Sequence, residues 1–96
     1  MKPSLALAKH RDAIRQIVLS HRAFNPRVFG SVARGDDSDG SDLDLLVEPF
    51  PDTSLLDVAC IQVELEALLG LSVDVVTPLF LSKSFRDQVV LEALPV

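Results

Sequence analysis

Two aspartates interrupt an apolar run near the middle of the chain, in the segment SDLDLLVE at residues 41–48. Side chains alternate faces along a β-strand, so Asp42 and Asp44 would share one face while the apolar residues between and after them face the core. Two carboxylates this close repel each other unless a cation lies between them, and an all-oxygen pair suits Mg²⁺ or Mn²⁺. The spacing therefore predicts a divalent-metal site on one face of a strand.

A third carboxylate, Asp74, interrupts the apolar run LSVDVV at residues 71–76 in the same manner. A carboxylate is costly to bury unpaired in a strand, which favours a functional role for it. Three carboxylates on adjacent strands could hold one or two divalent ions, an arrangement that binds nucleotide phosphates and activates an attacking oxygen. We therefore expect Asp42, Asp44 and Asp74 to serve phosphoryl or nucleotidyl transfer.

A Gly-Ser pair supplies a candidate phosphate site. Gly30 ends the short apolar segment RVFG, and Ser31 opens the segment SVARG, which is long enough for one helical turn. Glycine at a strand end lets backbone approach a ligand closely, and free N–H groups at the start of a helical turn favour phosphate. A Gly-Ser pair alone is a weak signal, but its fixed offset from the aspartates makes the combination specific. We expect both residues to contact a nucleotide triphosphate.

Two other motifs fit this segment less well. A P-loop would need a lysine where Asp36 follows Gly35, so that motif is absent. An EF-hand loop beginning at Asp37 would place Asp42 at the position that requires glycine, and Pro26 would lie in the preceding helix. The calcium loop is therefore disfavoured.

The segment resembles the signature of the minimal nucleotidyltransferases of the DNA polymerase beta superfamily, which is Gly-Ser, ten residues and then Asp-x-Asp. Gly30-Ser31, residues 32–41 and Asp42-Leu43-Asp44 reproduce this motif and its spacing, and SDLDLLVE and LLGLSVDVVTP are similar to the family as well. The resemblance covers about residues 27–80. It implies the nucleotidyltransferase fold, in the α/β (α+β) class, with a small mixed three-stranded sheet flanked by helices, as a single domain over residues 1–96.

The resemblance also implies roles for individual residues. The three carboxylates would bind Mg²⁺ or Mn²⁺, and one of them, Asp74, would also be the base for an incoming hydroxyl. The triphosphate of ATP would be bound by residues in the first half of the signature, Gly30, Ser31 and Arg34. Arg34 matches a basic position of the signature and would assist with phosphate.

The resemblance further implies a protein partner. Larger relatives, such as the aminoglycoside nucleotidyltransferases, continue into a helical domain that holds the acceptor, whereas minimal members typically pair with a small helical HEPN toxin and modify it with AMP from ATP. This chain has no tyrosine, so it cannot adenylylate itself on that residue, and a tyrosine of a HEPN toxin is the expected acceptor. The alternative hypothesis is a non-catalytic antitoxin that neutralises its partner by occlusion.

Composition limits the other possibilities. The 96 residues, 48% of them hydrophobic, suit one domain with a single core. We find no apolar run of about 20 residues and no secretory signal, so we expect a cytoplasmic protein with no membrane contact. The lone Cys60 excludes an intrachain disulfide and a cysteine-based zinc site.

Charge is divided along the chain. Residues 1–35 hold seven Lys or Arg and one acid, whereas the remaining 61 residues hold two basic residues and thirteen acids. The net charge of −5 argues against stable binding to duplex DNA, which needs a broad basic surface. A local polyphosphate site remains compatible with this distribution.

Hydrophobic periodicity and turn residues predict the elements that position these side chains, in the order helix, strand, strand, helix, strand, helix. The first predicted helix runs from a Ser4 cap to about Ala23, with Leu5 in its core-facing stripe, and the predicted strands cover residues 27–30, 43–48 and 71–76. The second predicted helix begins at one of Asp52, Thr53 and Ser54 and ends at Gly70. The last predicted helix runs from a Ser84–Asp87 capping box to about Leu94.

Overall fold

The computed structural model describes residues Met1–Val96. The helices are α1 Pro3–Lys9, α2 Arg11–Ser20, α3 Gly30–Arg34, α4 Leu55–Leu69 and α5 Lys83–Glu92, with a 3-10 turn at Pro78–Phe80. The strands are β1 Ala23–Phe29, β2 Leu43–Pro49, β3 Val73–Val76 and β4 Leu94–Pro95. None of the helices combines the length and the apolar character needed to cross a bilayer. The predicted α/β (α+β) class is confirmed.

The strands form one mixed sheet in the order β3-β2-β1-β4. β2 pairs in parallel with β3, while β1 pairs antiparallel with both β2 and β4. The predicted number of three strands is wrong by one, because the last residues of the predicted final helix form a β-strand instead. Pro95 disfavours helical geometry at the preceding Leu94, so the chain leaves α5 after Glu92 and these two residues pair with Arg27 and Val28.

Side chains alternate along β2 as predicted. Leu43, Leu45 and Val47 are buried in the main core cluster. Leu46 lies on the opposite face in a second cluster with Phe29 and Val89. Helix α5 therefore packs on the face of the sheet that also carries Asp44.

The main core lies between the sheet and helices α2 and α4. Four helical side chains in it are completely buried: Ile14, Val18, Ile61 and Leu65. Their spacing of four residues within each helix puts each pair on one face, which explains the apolar periodicity of both segments. The placement of Leu5 in this stripe is wrong, because Leu5 is 58% exposed.

The predicted first helix is two helices that meet at His10. Pro3 opens α1, where its missing N–H costs nothing, and Ser4 donates its backbone N–H to the Asp37 carboxylate at 2.9 Å instead of capping the helix. β1 begins at Ala23 rather than at residue 27, because a bulge with Asn25 at φ 51° accommodates Pro26 inside the strand.

The start of α4 is fixed by a capping box. Ser54 accepts the Asp57 backbone N–H, and the Asp57 carboxylate accepts the Ser54 backbone N–H at 2.9 Å. Gly70 ends the helix at φ 69°, a conformation in which glycine has no side-chain clash. The capping box predicted at Ser84 and Asp87 is wrong, because the N-cap of α5 is Ser82, two residues earlier, and it makes no side-chain hydrogen bond.

These two helix starts give a stability prediction. Ser54→Ala should lower the free energy of unfolding by about 1 kcal/mol, since it leaves an N-terminal N–H without its acceptor. Ser82→Ala is the matched control, because Ser82 occupies the N-cap position of α5 without making a side-chain hydrogen bond. Urea unfolding of both variants measures the difference, and equal losses would contradict the capping box.

Candidate active site

Two of the predicted carboxylates lie side by side. Asp44 of β2 is in register with Asp74 of β3, and paired residues of neighbouring parallel strands point to the same face. Asp42 lies two residues before Asp44, immediately ahead of the start of β2, and is exposed. The sheet thus places three carboxylates near one edge of a single face.

The glycine of the signature lies against Asp44. Phe29, the last residue of β1, pairs with Asp44, so the chain turns into α3 directly beside this carboxylate. Gly30 has φ 70°, and a Cβ there would overlap Asp44 Oδ2 and lie 3.2 Å from Asp44 Cγ. Glycine is therefore required at position 30 both by backbone conformation and by space.

A cavity of about 270 Å³ opens at this place. Its polar lining comprises Gly30, Arg34, Asp44, Asp74, Gln88 and Glu92. Its apolar lining comprises Phe29, Val76, Leu81, Phe85 and Val89. Four of the six predicted site residues therefore line one cavity, whereas Asp42 and Ser31 are near neighbours of lining residues along the chain. Helix α5 forms the wall opposite the sheet.

Glu92 is a site residue that the sequence reasoning missed. Its Oε1 accepts the Gly30 backbone N–H at 2.7 Å and lies 3.5 Å from Arg34 Nη1. Gly30 and Glu92 are 62 residues apart, so no motif or periodicity connects them. Only the packing of α5 on the sheet, followed by β4, brings this carboxylate to the start of α3.

The electrostatics of the cluster are strained. Burial, followed by the negative charges of Asp74, Asp42 and Glu92, raises the pKa of the Asp44 carboxyl to about 6, with Arg34 opposing the rise. Asp44 thus lies in a place where negative charge is poorly compensated. A cation at this place would remove that penalty.

The donor set fits a hard divalent cation. Carboxylate oxygens are the ligands that Mg²⁺ and Mn²⁺ take from proteins, commonly one or two of them together with substrate phosphates. As the side chains stand, no three His, Cys, Asp or Glu residues converge on one point that could hold an ion. The protein therefore offers two adjacent carboxylates and a third nearby, and a nucleotide would have to supply further oxygens.

Comparison with protein families agrees with this geometry. A family model described as the nucleotidyltransferase domain matches residues 7–96. The chain belongs to this family. The match extends from α1 to the end of the chain, so this nucleotidyltransferase includes α5 and β4 in its family domain as well as the signature segment.

A solved structure described as that of a minimal nucleotidyltransferase is 43% identical to the chain, with a TM-score of 0.87, and covers 97% of this chain and 95% of that one. Protein adenylyltransferase MntA of Thermococcus cleftensis is 41% identical over 69 residues, which are 72% of this chain and 70% of MntA. The chain is thus a minimal member of the nucleotidyltransferases, as its signature predicts.

A crystal structure of a toxin-antitoxin with AMP-PNP shares the fold. Its TM-score is 0.76 over 88% of this chain and 69% of that one, at 21% identity. The overall architecture is therefore retained although most residues differ between the two sequences.

The raised pKa of Asp44 has a consequence for stability. Below its ordinary pKa of 3.8 the carboxyl is protonated in both the folded and the unfolded protein and has no effect. As the pH rises from 3.8 to about 6, the unfolded protein releases this proton first, so the folded state loses stability, and above that pH the loss is complete. The ionised Asp44 therefore destabilises the metal-free protein near neutral pH.

Asp44→Asn should accordingly raise the free energy of unfolding near neutral pH in metal-free buffer. We expect a gain of about 1 kcal/mol, well below the full electrostatic value, because water reaches part of the side chain and screens it. The gain should disappear as the pH falls toward 4, as urea unfolding across this range would show. Asp87→Asn, which removes an exposed carboxylate of α5, is the control. A gain independent of pH would refute the interpretation.

The contact between Gly30 and Asp44 gives a further prediction. Gly30 and Gly35 both have positive φ, 70° and 78°, but only at Gly30 would an added Cβ meet another side chain within 4 Å. Alanine should cost about 1 kcal/mol at either site through backbone strain. Gly30→Ala should cost roughly 1–3 kcal/mol more than Gly35→Ala, because it must displace Asp44. Equal losses in urea unfolding would show that Asp44 moves freely.

Proposed function

We propose that this nucleotidyltransferase transfers AMP from ATP to a side-chain hydroxyl of a separate toxin protein and thereby neutralises it. The observation that carries the proposal is the register of Asp44 with Asp74 at a cavity whose rim includes Gly30 and Arg34. That arrangement puts metal-binding carboxylates beside groups that can bind phosphate. It suits nucleotidyl transfer better than simple binding, which would not need uncompensated carboxylates.

The chemistry follows from these positions. Gly30, Ser31 and Arg34 would bind the phosphates, and Asp42, Asp44 and Asp74 would hold the Mg²⁺ or Mn²⁺ of the nucleotide. The bound cation supplies neutralisation of phosphate charge and polarisation of the α-phosphate. Oxygens of the substrate would supply the remaining ligands of the cation, since no three carboxylates converge on one point.

Asp74 acts on the acceptor. Its carboxylate is exposed and adjoins Asp44, so a hydroxyl from another protein can reach it. Asp74 accepts the hydroxyl proton, the oxygen bonds to the α-phosphorus, the bond between the α-phosphorus and its bridging oxygen breaks, and pyrophosphate leaves with the electron pair. The products are an AMP-modified side chain and pyrophosphate.

The acceptor is a separate protein in this proposal. The chain contains no tyrosine, so a tyrosine acceptor has to belong to another protein. The relative MntA is named a protein adenylyltransferase, and a toxin-antitoxin shares the fold. Together with the sequence signature, these support a tyrosine of a helical HEPN toxin as the acceptor.

The proposal predicts the outcome of a transfer assay. The protein is incubated with Mg²⁺, ATP labelled at the α-phosphate and the HEPN-type product of the adjacent gene, and the mass of both chains is measured. The wild type should add one or more AMP units to the partner. Asp74→Asn and the double variant Asp42→Asn with Asp44→Asn should reduce transfer by at least about 10³-fold.

Two controls make the assay decisive. Asp87→Asn should transfer AMP as the wild type does, because Asp87 is exposed on α5 and does not line the cavity. Thermal unfolding with Mg²⁺ and ATP should show stabilisation of the wild type and none of the double variant. If the inactive variants silence the toxin as well as the wild type and no mass is added, neutralisation is by occlusion and the enzymatic proposal is wrong.

A further inference from the structure

The Glu92 carboxylate contacts two groups that are proposed to bind the triphosphate, the Gly30 N–H and the Arg34 guanidinium. Glu92 Oε1 accepts the Gly30 N–H at 2.7 Å and lies 3.5 Å from Arg34 Nη1. The Glu92 side chain is only 25% exposed, so this contact is part of the packed structure rather than a chance surface encounter. A carboxylate oxygen bound by a backbone N–H and a guanidinium resembles a phosphate oxygen in charge and in hydrogen bonding.

The fold holds Glu92 in this position. Glu92 is the last residue of α5, and the two residues of β4 that follow shortly after are paired with β1. Val96 donates its N–H to the Pro26 carbonyl at 3.0 Å, and its own carbonyl accepts from Arg15 at 2.8 Å. The residues that follow α5 are thus held on the sheet by hydrogen bonds, so the Glu92 side chain can turn away from Gly30 while the backbone stays in place.

Arg34 is paired with acidic side chains of this protein while Glu92 is in place. It is the one basic residue in the cavity lining. Its guanidinium lies 3.5 Å from Glu92 Oε1 and 3.5 Å from Asp36 Oδ2. With both acids in place, an incoming triphosphate meets an arginine that is already paired with two carboxylates and a backbone N–H that already has an acceptor.

We propose that Glu92 is an internal competitor of the nucleotide: its carboxylate closes the Gly30 and Arg34 phosphate contacts, and a triphosphate binds by displacing it. The inference rests on the proposed function, because the displaced carboxylate yields its place to the triphosphate of ATP. Rotation of the Glu92 side chain is sufficient, so α5 and β4 stay packed on the sheet. Nucleotide affinity is then set partly by the strength of this internal contact.

The test compares Glu92→Gln with the wild type. Glutamine keeps the size of the side chain and an oxygen that can accept the Gly30 N–H, but removes the charge that competes with phosphate. The variant should bind α,β-methylene ATP with Mg²⁺, whose bridge cannot be cleaved, roughly fivefold to tenfold more tightly in calorimetric titration. Adenosine, which has no phosphate, should bind both proteins equally.

A second readout is independent of catalysis and of metal. The Gly30 amide resonance is followed by NMR while inorganic tripolyphosphate is added, and in Glu92→Gln it should respond at roughly fivefold to tenfold lower concentration than in the wild type. Asp87→Asn removes an equal charge from the same helix outside the cavity lining, and should behave as the wild type within about twofold because solvent screens it.

The outcomes separate this inference from the proposed function. Weaker or unchanged binding by Glu92→Gln, or a Gly30 amide that responds equally in both proteins, overturns the inference even if AMP transfer occurs. A sensitised Gly30 amide supports it even if no AMP reaches the partner, which would refute only the proposed function. Should Glu92→Gln unfold, Glu92→Asp provides the same test, because the shorter side chain keeps its charge but draws it back from Gly30.

Discussion

The site depends on the close approach of the backbone at Gly30 to the carboxylate of Asp44. The antiparallel pairing of β1 with β2 fixes it, since Phe29 and Asp44 are partners in the register and the chain turns into α3 at the next residue. A side chain at position 30 would overlap Asp44, so the turn is possible only with glycine. The Gly30 backbone and the Asp44 carboxylate, which we propose to bind phosphate and metal, are consequently brought together by one strand pair and one residue without a side chain.

Uncompensated charge is the cost of this arrangement. The opposite face of β2 is occupied by the main core, so Asp44 cannot move away from Asp74 without disturbing strands that the core holds in register. The pKa of Asp44 is raised to about 6 as a result, first by burial and then by its acidic neighbours. The apolar packing that stabilises the fold is therefore also what keeps the carboxylates in a strained arrangement that favours a cation.

The pattern of polar and apolar residues predicts those elements whose structure depends on residues close together in the sequence. The alternation of polar and apolar residues in β2 predicts which face Asp44 occupies, and the helical period of residues 55–69 agrees with the burial of Ile61 and Leu65 in the core. The same reasoning failed where distant segments meet. Two residues suffice for β4 only because β1 presents a free edge to them, and a run that short has no periodicity to detect.

The candidate site divides in the same way. Its aspartates and Gly30 belong to a signature with fixed spacing, whereas Glu92 lines the cavity because α5 packs against the sheet. No residue near Glu92 in the chain marks that position.

Charge balance connects the cavity to its ligand. The polar lining contains one basic residue, Arg34, and three acids, Asp44, Asp74 and Glu92, so acids outnumber basic groups in the cavity lining, and a triphosphate is negative as well. Attraction between them needs positive charge that the protein does not supply. A divalent cation carried by the nucleotide can meet the aspartates, but it leaves Arg34 and the Gly30 N–H still engaged with Glu92. In the proposed function, tight binding then needs two changes: a cation between the aspartates and the phosphates, and a phosphate in place of the Glu92 carboxylate. Since the second change replaces one ionic contact by another, its net gain is small compared with the contacts made, which would suit the proposed transfer, in which pyrophosphate must leave each time.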